Sequence, residues 1–232
     1  MAKNKEKTDN KERIESVFGK NDEYEYELRG NQIILHKYIG SEAKVQIPSK
    51  IGKNRVVRIG NSCFANNEEL RKISISDGIK CIGVGAFKNC TSLWEVKLPE
   101  SVTDIQPEAF MNCTKLHKFQ FNETLEFIGA HAFDGCKSLR YVILPYSVSL
   151  ISDHAFRDCS ALNLVVIPYK YVTIKKTSFN LCPRLKKIVT PNFAIERVIR
   201  HSTFHDKPKE KATDLEQYKE NGRIKRVKKY DT

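Results

Sequence analysis

The amino-acid sequence predicts a right-handed α/β repeat solenoid, strand-rich with short helical turns and built from six repeats of 23 residues. Three observations carry this expectation. Phe64, Phe87, Phe110, Phe133, Phe156 and Phe179 recur at a constant interval with no insertion. A strand-like pair of apolar columns recurs with them: Ile73, Val96, Phe119, Val142, Val165 and Ile188, then Ile75, Leu98, Phe121, Leu144, Ile167 and Thr190 two positions on. Two-residue spacing turns both columns to the same face of an extended chain. Pro99, Pro145, Pro168 and Pro191 then close that strand where no backbone donor is needed.

Taken in order, residues 1–20 are rich in Lys, Glu and Asn with few apolar anchors and read as a flexible charged arm. Residues 21–56 alternate through Glu23–Leu28, turn at Arg29-Gly30-Asn31 and alternate again to Tyr38, a hairpin expected to cap the open end of the array. Val45-Gln46-Ile47-Pro48 adds a strand. Residues 57–191 form the repeats. In each, Ile79, Val102, Leu125 and Val148, with Ile82, Ile105, Ile128, Ile151 and Ile174, mark a second short strand. The stretch Ala86–Leu93 has the three- and four-residue apolar spacing of a helical turn. Residues 192–205, with Ile195, Val198 and Ile199 at helical spacing, are expected to form a C-terminal capping helix. Residues 206–232 read as a charged tail, in which Thr213-Asp214-Leu215-Glu216 has capping-box form and Gly222 would end a short helix.

The wording Ile82-Gly83, Ala86-Phe87, Cys90, Leu93, Val96, Leu98-Pro99, Val102, Ile105, repeated down the chain, resembles the BspA-like family of leucine-rich repeats, known from bacterial surface proteins. The resemblance runs from about Glu23 to Pro191. It implies a leucine-rich-repeat superhelix that works by adhesion or protein binding, and it names no partner.

Chemistry is sparse outside that pattern. Cys90, Cys113, Cys136, Cys159 and Cys182, with Asn67 in the first copy, are expected to stack about one strand spacing (~5 Å) apart as a buried ladder rather than to bind metal. Glu108, His131 and His154 share a column but would lie side by side rather than converge on an ion. His201 and His205 lack the glutamate and third ligand of a metalloprotease site. Three Asn-x-Thr triplets begin at Asn89, Asn112 and Asn122 and are read as repeat positions, not glycan acceptors. No nucleophile elbow, phosphate loop or paired acid appears, so no enzyme, cofactor or metal is expected.

Function is expected where the copies diverge. The outward strand positions are polar in the first coils (Lys72, Ser74, Glu95, Lys97, Lys118, Gln120) and apolar in the later ones, where Tyr141, Ile143, Leu164, Val166 and Val189 would form a patch for another protein or a second copy. The C-terminal segment folding back over the patch is the competing reading. Lys170, Lys175, Lys176, Arg184, Lys186 and Lys187 belong to a stretch to Arg200 with eight basic side chains against Glu196 alone, an alternative nucleic-acid or polyanion site within a chain of net charge +12. The start carries no apolar run of signal-peptide kind and no stretch approaches the ~18 residues of a membrane span. A cytoplasmic protein is therefore expected, or a cell-surface adhesin if translation begins further upstream.

Overall fold

A computed structural model of the chain describes residues 16–168 and 172–189, together with the backbone at 219–220 and 223–224. Its elements run β1 (Ser16–Lys20), β2 (Tyr24–Arg29), β3 (Gln32–Tyr38), β4 (Lys44–Ile47), β5 (Lys50–Ile51) and β6 (Asn54–Ile59). Two strands per coil follow: β7 (Lys72–Ile75) and β8 (Cys81–Ile82), β9 (Glu95–Lys97) and β10 (Asp104–Ile105), β11 (Lys118–Gln120) and β12 (Phe127–Ile128). The later coils supply β13 (Tyr141–Ile143) and β14 (Leu150–Ile151), β15 (Leu164–Val166) and β16 (Thr173–Ile174), then β17 (Lys187–Val189). A short antiparallel pair, β18 (Lys219–Glu220) and β19 (Arg223–Ile224), stands where the tail was expected to end a helix at Gly222. The capping helix at 192–205, with His201 and His205, lies outside the described residues, as do Lys170 and the rest of the charged tail.

The solenoid has two sheet-lined sides. Along one, β3, β6, β8, β10, β12, β14 and β16 pair in parallel, each one coil from the next, so that Asp104 lies opposite Cys81 and Phe127, and Ile105 opposite Ile82 and Ile128. The antiparallel hairpin β2–β3 joins this sheet at its N-terminal edge. β1 pairs antiparallel with β2, so Ser16–Lys20, read from sequence as part of the mobile arm, are instead its outermost strand. Backbone pairing with Tyr24–Arg29 is what holds this segment, since Val17 and Phe18 remain exposed.

No helix occurs among the described residues, which corrects the expectation of helical turns. Between Phe and Leu the backbone does form three-residue bonds, such as Ala86 N–H to Gly83 O, Lys88 N–H to Gly85 O and Cys90 N–H to Phe87 O. Two positions four residues apart are left-handed, however: Ser62, Gly85, Glu108, His131 and His154 in one column (φ 55–60°), and Asn66, Asn89, Asn112, Gly135, Asp158 and Leu181 in the other. Left-handed residues cannot propagate a right-handed helix, and the turns release their donors to the next coil instead. Phe87 N–H thus reaches Ala109 O at 2.7 Å and Asn89 N–H reaches Met111 O at 2.8 Å. The column containing the two histidines is therefore a backbone column. At Gly83 the adjoining coil comes so close that a Cβ would lie 2.7 Å from backbone atoms of Ile59 and Gly60.

The interior is a stack. Successive Phe rings from Phe64 to Phe179 lie 4.9, 5.1, 5.4, 5.0 and 5.4 Å apart, tilted by 18° or less. Tyr38 extends the stack at 4.8 Å and Tyr24 closes it edge-on, so the capping hairpin ends the aromatic spine as well as covering it. Beside the rings runs the thiol ladder. Each Cys Sγ donates to the carbonyl of a Phe 26 residues earlier: Cys90 to Phe64, Cys113 to Phe87, Cys136 to Phe110, Cys159 to Phe133 and Cys182 to Phe156, at 3.1–3.3 Å. Burial pushes the Cys90 thiol up to about 12 and those of Cys113, Cys136 and Cys159 further. Asn67, in the first copy, instead accepts from the Glu69 and Leu70 amides of its own turn.

Candidate interaction site

The first strand of each coil builds the other side, and this side is not continuous. β4, β7, β9 and β11 form one sheet, β13, β15 and β17 another, with β11 and β13 unpaired. The break coincides with Phe119 and Phe121, which stand where the neighbouring coils carry the aliphatic residues Val96, Leu98, Val142 and Leu144. Phe119 wedges edge-on between Phe110 (5.1 Å) and Phe133 (4.9 Å), and Phe121 meets Phe133 at 5.8 Å. Rings that large hold their strand off the next coil's register.

The surface chemistry changes at the same break. On the first sheet Glu95 is almost fully buried and its carboxylate is held by Lys118 at 2.7 Å and Lys72 at 3.1 Å, one cation from each neighbouring coil. The hydrogen bond from Lys118, followed by that from Lys72, keeps its carboxyl below the usual range against the opposing effect of burial. Trp94 and His117 stack beside this bridge at 5.7 Å. The strands of the second sheet carry no carboxylate. Tyr141 is 51 % exposed, Ile143 and Leu164 are half-buried, and Tyr146, past Pro145, adds an exposed ring that the strand pattern did not point to.

Simple alternation also placed Val166 and Val189 on this surface. They are 0 % and 6 % exposed, yet they stand apart from the main core cluster. Ile143, Val166 and Val189 face one another across β13, β15 and β17, and the branched side chains on either side shield Val166 in the middle of the row, while Val189 is buried at its end. The accessible patch is thus Tyr141, Ile143 and Leu164.

Of the basic candidates, Lys175, Lys176, Arg184, Lys186 and Lys187 are all exposed around the last coil, with Lys187 on β17 itself. His131 and His154 do stack, 4.8 Å apart, but the His131 Nδ1 bonds to Asp134 at 2.7 Å, and Asp134 also accepts from Arg157. Among the described residues no three His, Cys, Asp or Glu side chains are placed to hold a metal ion, and no helix is long and apolar enough to cross a membrane. Asn89 and Asn112 spend their side-chain amides on an asparagine ladder, at 2.8 and 2.9 Å, and Asn122 is buried while donating to Pro99 O, Val102 O and Thr124.

A parallel solenoid with this ring spine and 23-residue period is a leucine-rich repeat protein, a class whose fold is consistent with protein interaction and which is generally non-enzymatic. The model of the BspA type leucine rich repeat region matches six copies over residues 42–163 and 103–217, and the chain belongs to that family. The chain is similar to a leucine rich repeat protein of T. pallidum (27 % identity, TM-score 0.66), covering 78 % of this chain and 94 % of that one. It is also similar to a leucine-rich repeat protein from Bacteroides ovatus (26 % identity, TM-score 0.59; 75 % of this chain, 45 % of that). The pneumococcal vaccine antigen PcpA shares the fold at 19 % identity and a TM-score of 0.64, over 80 % of this chain and 45 % of that one. The comparison with curated proteins returns no match.

Proposed function

We propose that the chain is a non-enzymatic protein-binding module that holds a protein partner on the strand side of its later coils, centred on Tyr141, Ile143 and Leu164. The observation that carries this reading is the changeover at the break between β11 and β13. On one side the surface is satisfied by its own ion pairs, on the other it offers a half-exposed tyrosine and half-buried aliphatics on strands without a carboxylate, with Lys187 at the end of the Tyr141–Leu164 row. Aromatic and aliphatic groups of this kind anchor interfaces because their burial removes apolar area from water at little entropic expense. A photo-crosslinking residue at position 141, introduced in cells that make the protein, should join to one discrete protein or to a second copy. The adduct should disappear in Leu164→Glu, while the same probe at position 97 on the ion-paired sheet should yield none. Equal adducts from positions 141 and 97, or adducts unaffected by Leu164→Glu, would refute the reading.

A second reading uses the exposed cations Lys175, Lys176, Arg184 and Lys186 on a polyanion. Binding to a nucleic-acid duplex that weakens with salt and is lost in Lys175→Ala/Lys176→Ala supports it; no binding at low salt removes it.

A further inference from the structure

At the opposite end of the molecule, the short hairpin β5–β6 stands out from the side sheet and walls off a cleft of about 710 Å³ against the corner that leads into β8. Its lining brings together Asn31 and Gln32 from the turn and start of β3, Ser49 just before β5 and Lys50 on it, Arg55 and Arg58 on β6, and Asp77, Lys80 and Cys81 from the first repeat. These are separate chain segments, brought together only by the fold.

Lys50, Arg55, Arg58 and Lys80 supply four cations, and Asp77 the one acidic side chain of the lining. Among the described residues none of the four forms an ion pair, although elsewhere on the molecule Lys72, Lys88, Lys118 and Arg157 all find carboxylates. Arg58 reaches only the Asn61 side-chain oxygen, at 3.4 Å. Four uncommitted cations around one concavity favour an anion there, since they repel one another until one arrives. The cleft's size is that of a small-molecule site rather than a single ion. Asn31, Gln32 and Ser49 offer donors and acceptors suited to hydroxyl groups, whereas no aromatic ring lines the cleft on which a base could stack.

We propose that this cleft is a binding site for a sugar carrying a sulfate or phosphate ester, its oxyanion held by Arg55, Arg58, Lys50 and Lys80 and its hydroxyls by Asn31, Gln32, Ser49 and Asp77. The site is independent of the protein-binding surface and of the basic last coil, which lies several coils away.

Cys81 provides the assay, because it is the half-buried thiol among cysteines that are otherwise buried, and it lies in the cleft wall. Alkylation of the full-length protein by neutral iodoacetamide, followed by mass spectrometry of the Cys81 peptide, should slow in a saturable way with a sulfated disaccharide or a sugar monophosphate. The unmodified disaccharide should give no protection. Replacing Arg55 and Lys80 together by Ala should raise the concentration needed for protection about tenfold or more, with the circular dichroism spectrum unchanged because both side chains are exposed. Lys175→Ala/Lys176→Ala should leave protection as it was. Stronger protection by the sulfated disaccharide than by the phosphate, or the reverse, tells which ester the site prefers and supports the proposal either way. Protection by inorganic sulfate and phosphate as good as by the esters would overturn the sugar assignment. The site itself is overturned by no protection from either ester at low ionic strength, by protection unchanged in the Arg55/Lys80 variant, or by protection lost in the Lys175/Lys176 variant.

Discussion

Replacing Phe110 by Ala tests the physical account of the fold most directly. The ring is fully buried, stacked between Phe87 and Phe133 at 5.1 and 5.4 Å, and met edge-on by Phe119 at 5.1 Å. Removing a core Phe costs about 3–5 kcal/mol in transfer and cavity terms, and three ring partners that cannot close the gap place this site at the top of that range. Phe179 makes a matched control, because it is slightly exposed and, among the described residues, stacks on Phe156 alone. With one ring partner among the described residues, Phe179→Ala should cost less than Phe110→Ala, toward the low end of that range. Urea unfolding followed by circular dichroism measures both. In a one-dimensional array the central lesion should also separate the coils on its two sides, which lowers the apparent m-value, whereas the terminal lesion should leave it unchanged. Equal costs for the two variants, or a Phe110→Ala cost below about 3 kcal/mol, the low end for truncating a buried Phe, would refute the continuous spine.

Two further outcomes follow from the side-chain geometry. Titration of the native protein with a thiol reagent should modify Cys81 first, while Cys90, Cys113, Cys136 and Cys159 react only on unfolding, because burial raises their thiols and leaves little thiolate; several fast thiols per chain would contradict the ladder. Glu27 on β2 is nearly buried, with its carboxylate on Arg29 at 2.6 Å and His36 at 3.0 Å, and the hydrogen bond from Arg29, then that from His36, lowers it to about 2. A depressed folded-state value means a stabilising contribution that is full above the ordinary carboxylate range near 4.5 and is lost as pH falls toward 2. Comparing wild type with Glu27→Gln by thermal melts from pH 7 to pH 2 should show the two converging in that window, and a difference that persists unchanged to pH 2 would refute the assignment.

Much of this architecture was legible in the residues because the period is a geometric constraint. A column of Phe at a constant interval must stack once the chain coils, and a Cys beside it finds the same carbonyl in every coil, so ladder and spine followed from spacing alone. The helical turns did not follow. Apolar spacing at Ala86–Leu93 fits a helix, yet the alternative of left-handed residues at Gly85 and Asn89 uses the same side chains and differs only in which coil receives the hydrogen bonds. β1 was missed because Ser16–Lys20 show no apolar pattern; their partners lie in backbone groups of Tyr24–Arg29 that composition does not reveal. Val166 was misplaced because period-two alternation reports which side of a strand a residue faces, not whether its row neighbours shield it, and the same alternation does not report the burial of Val189 at the end of that row.

The sequence by itself determined the repeat, its family, the capping hairpin that ends it and the point at which its surface turns from polar to apolar, since each is a matter of residue type at a fixed interval. Only the tertiary structure decided the rest. It split the strand side between β11 and β13 where Phe119 and Phe121 wedge in, tied Glu95 to two neighbouring coils, and reduced the apolar patch to Tyr141, Ile143 and Leu164. It also gathered Lys50, Arg55, Arg58 and Lys80 around one cleft. Those features depend on side-chain reach, burial and cross-segment distances that a fixed interval along the chain does not specify.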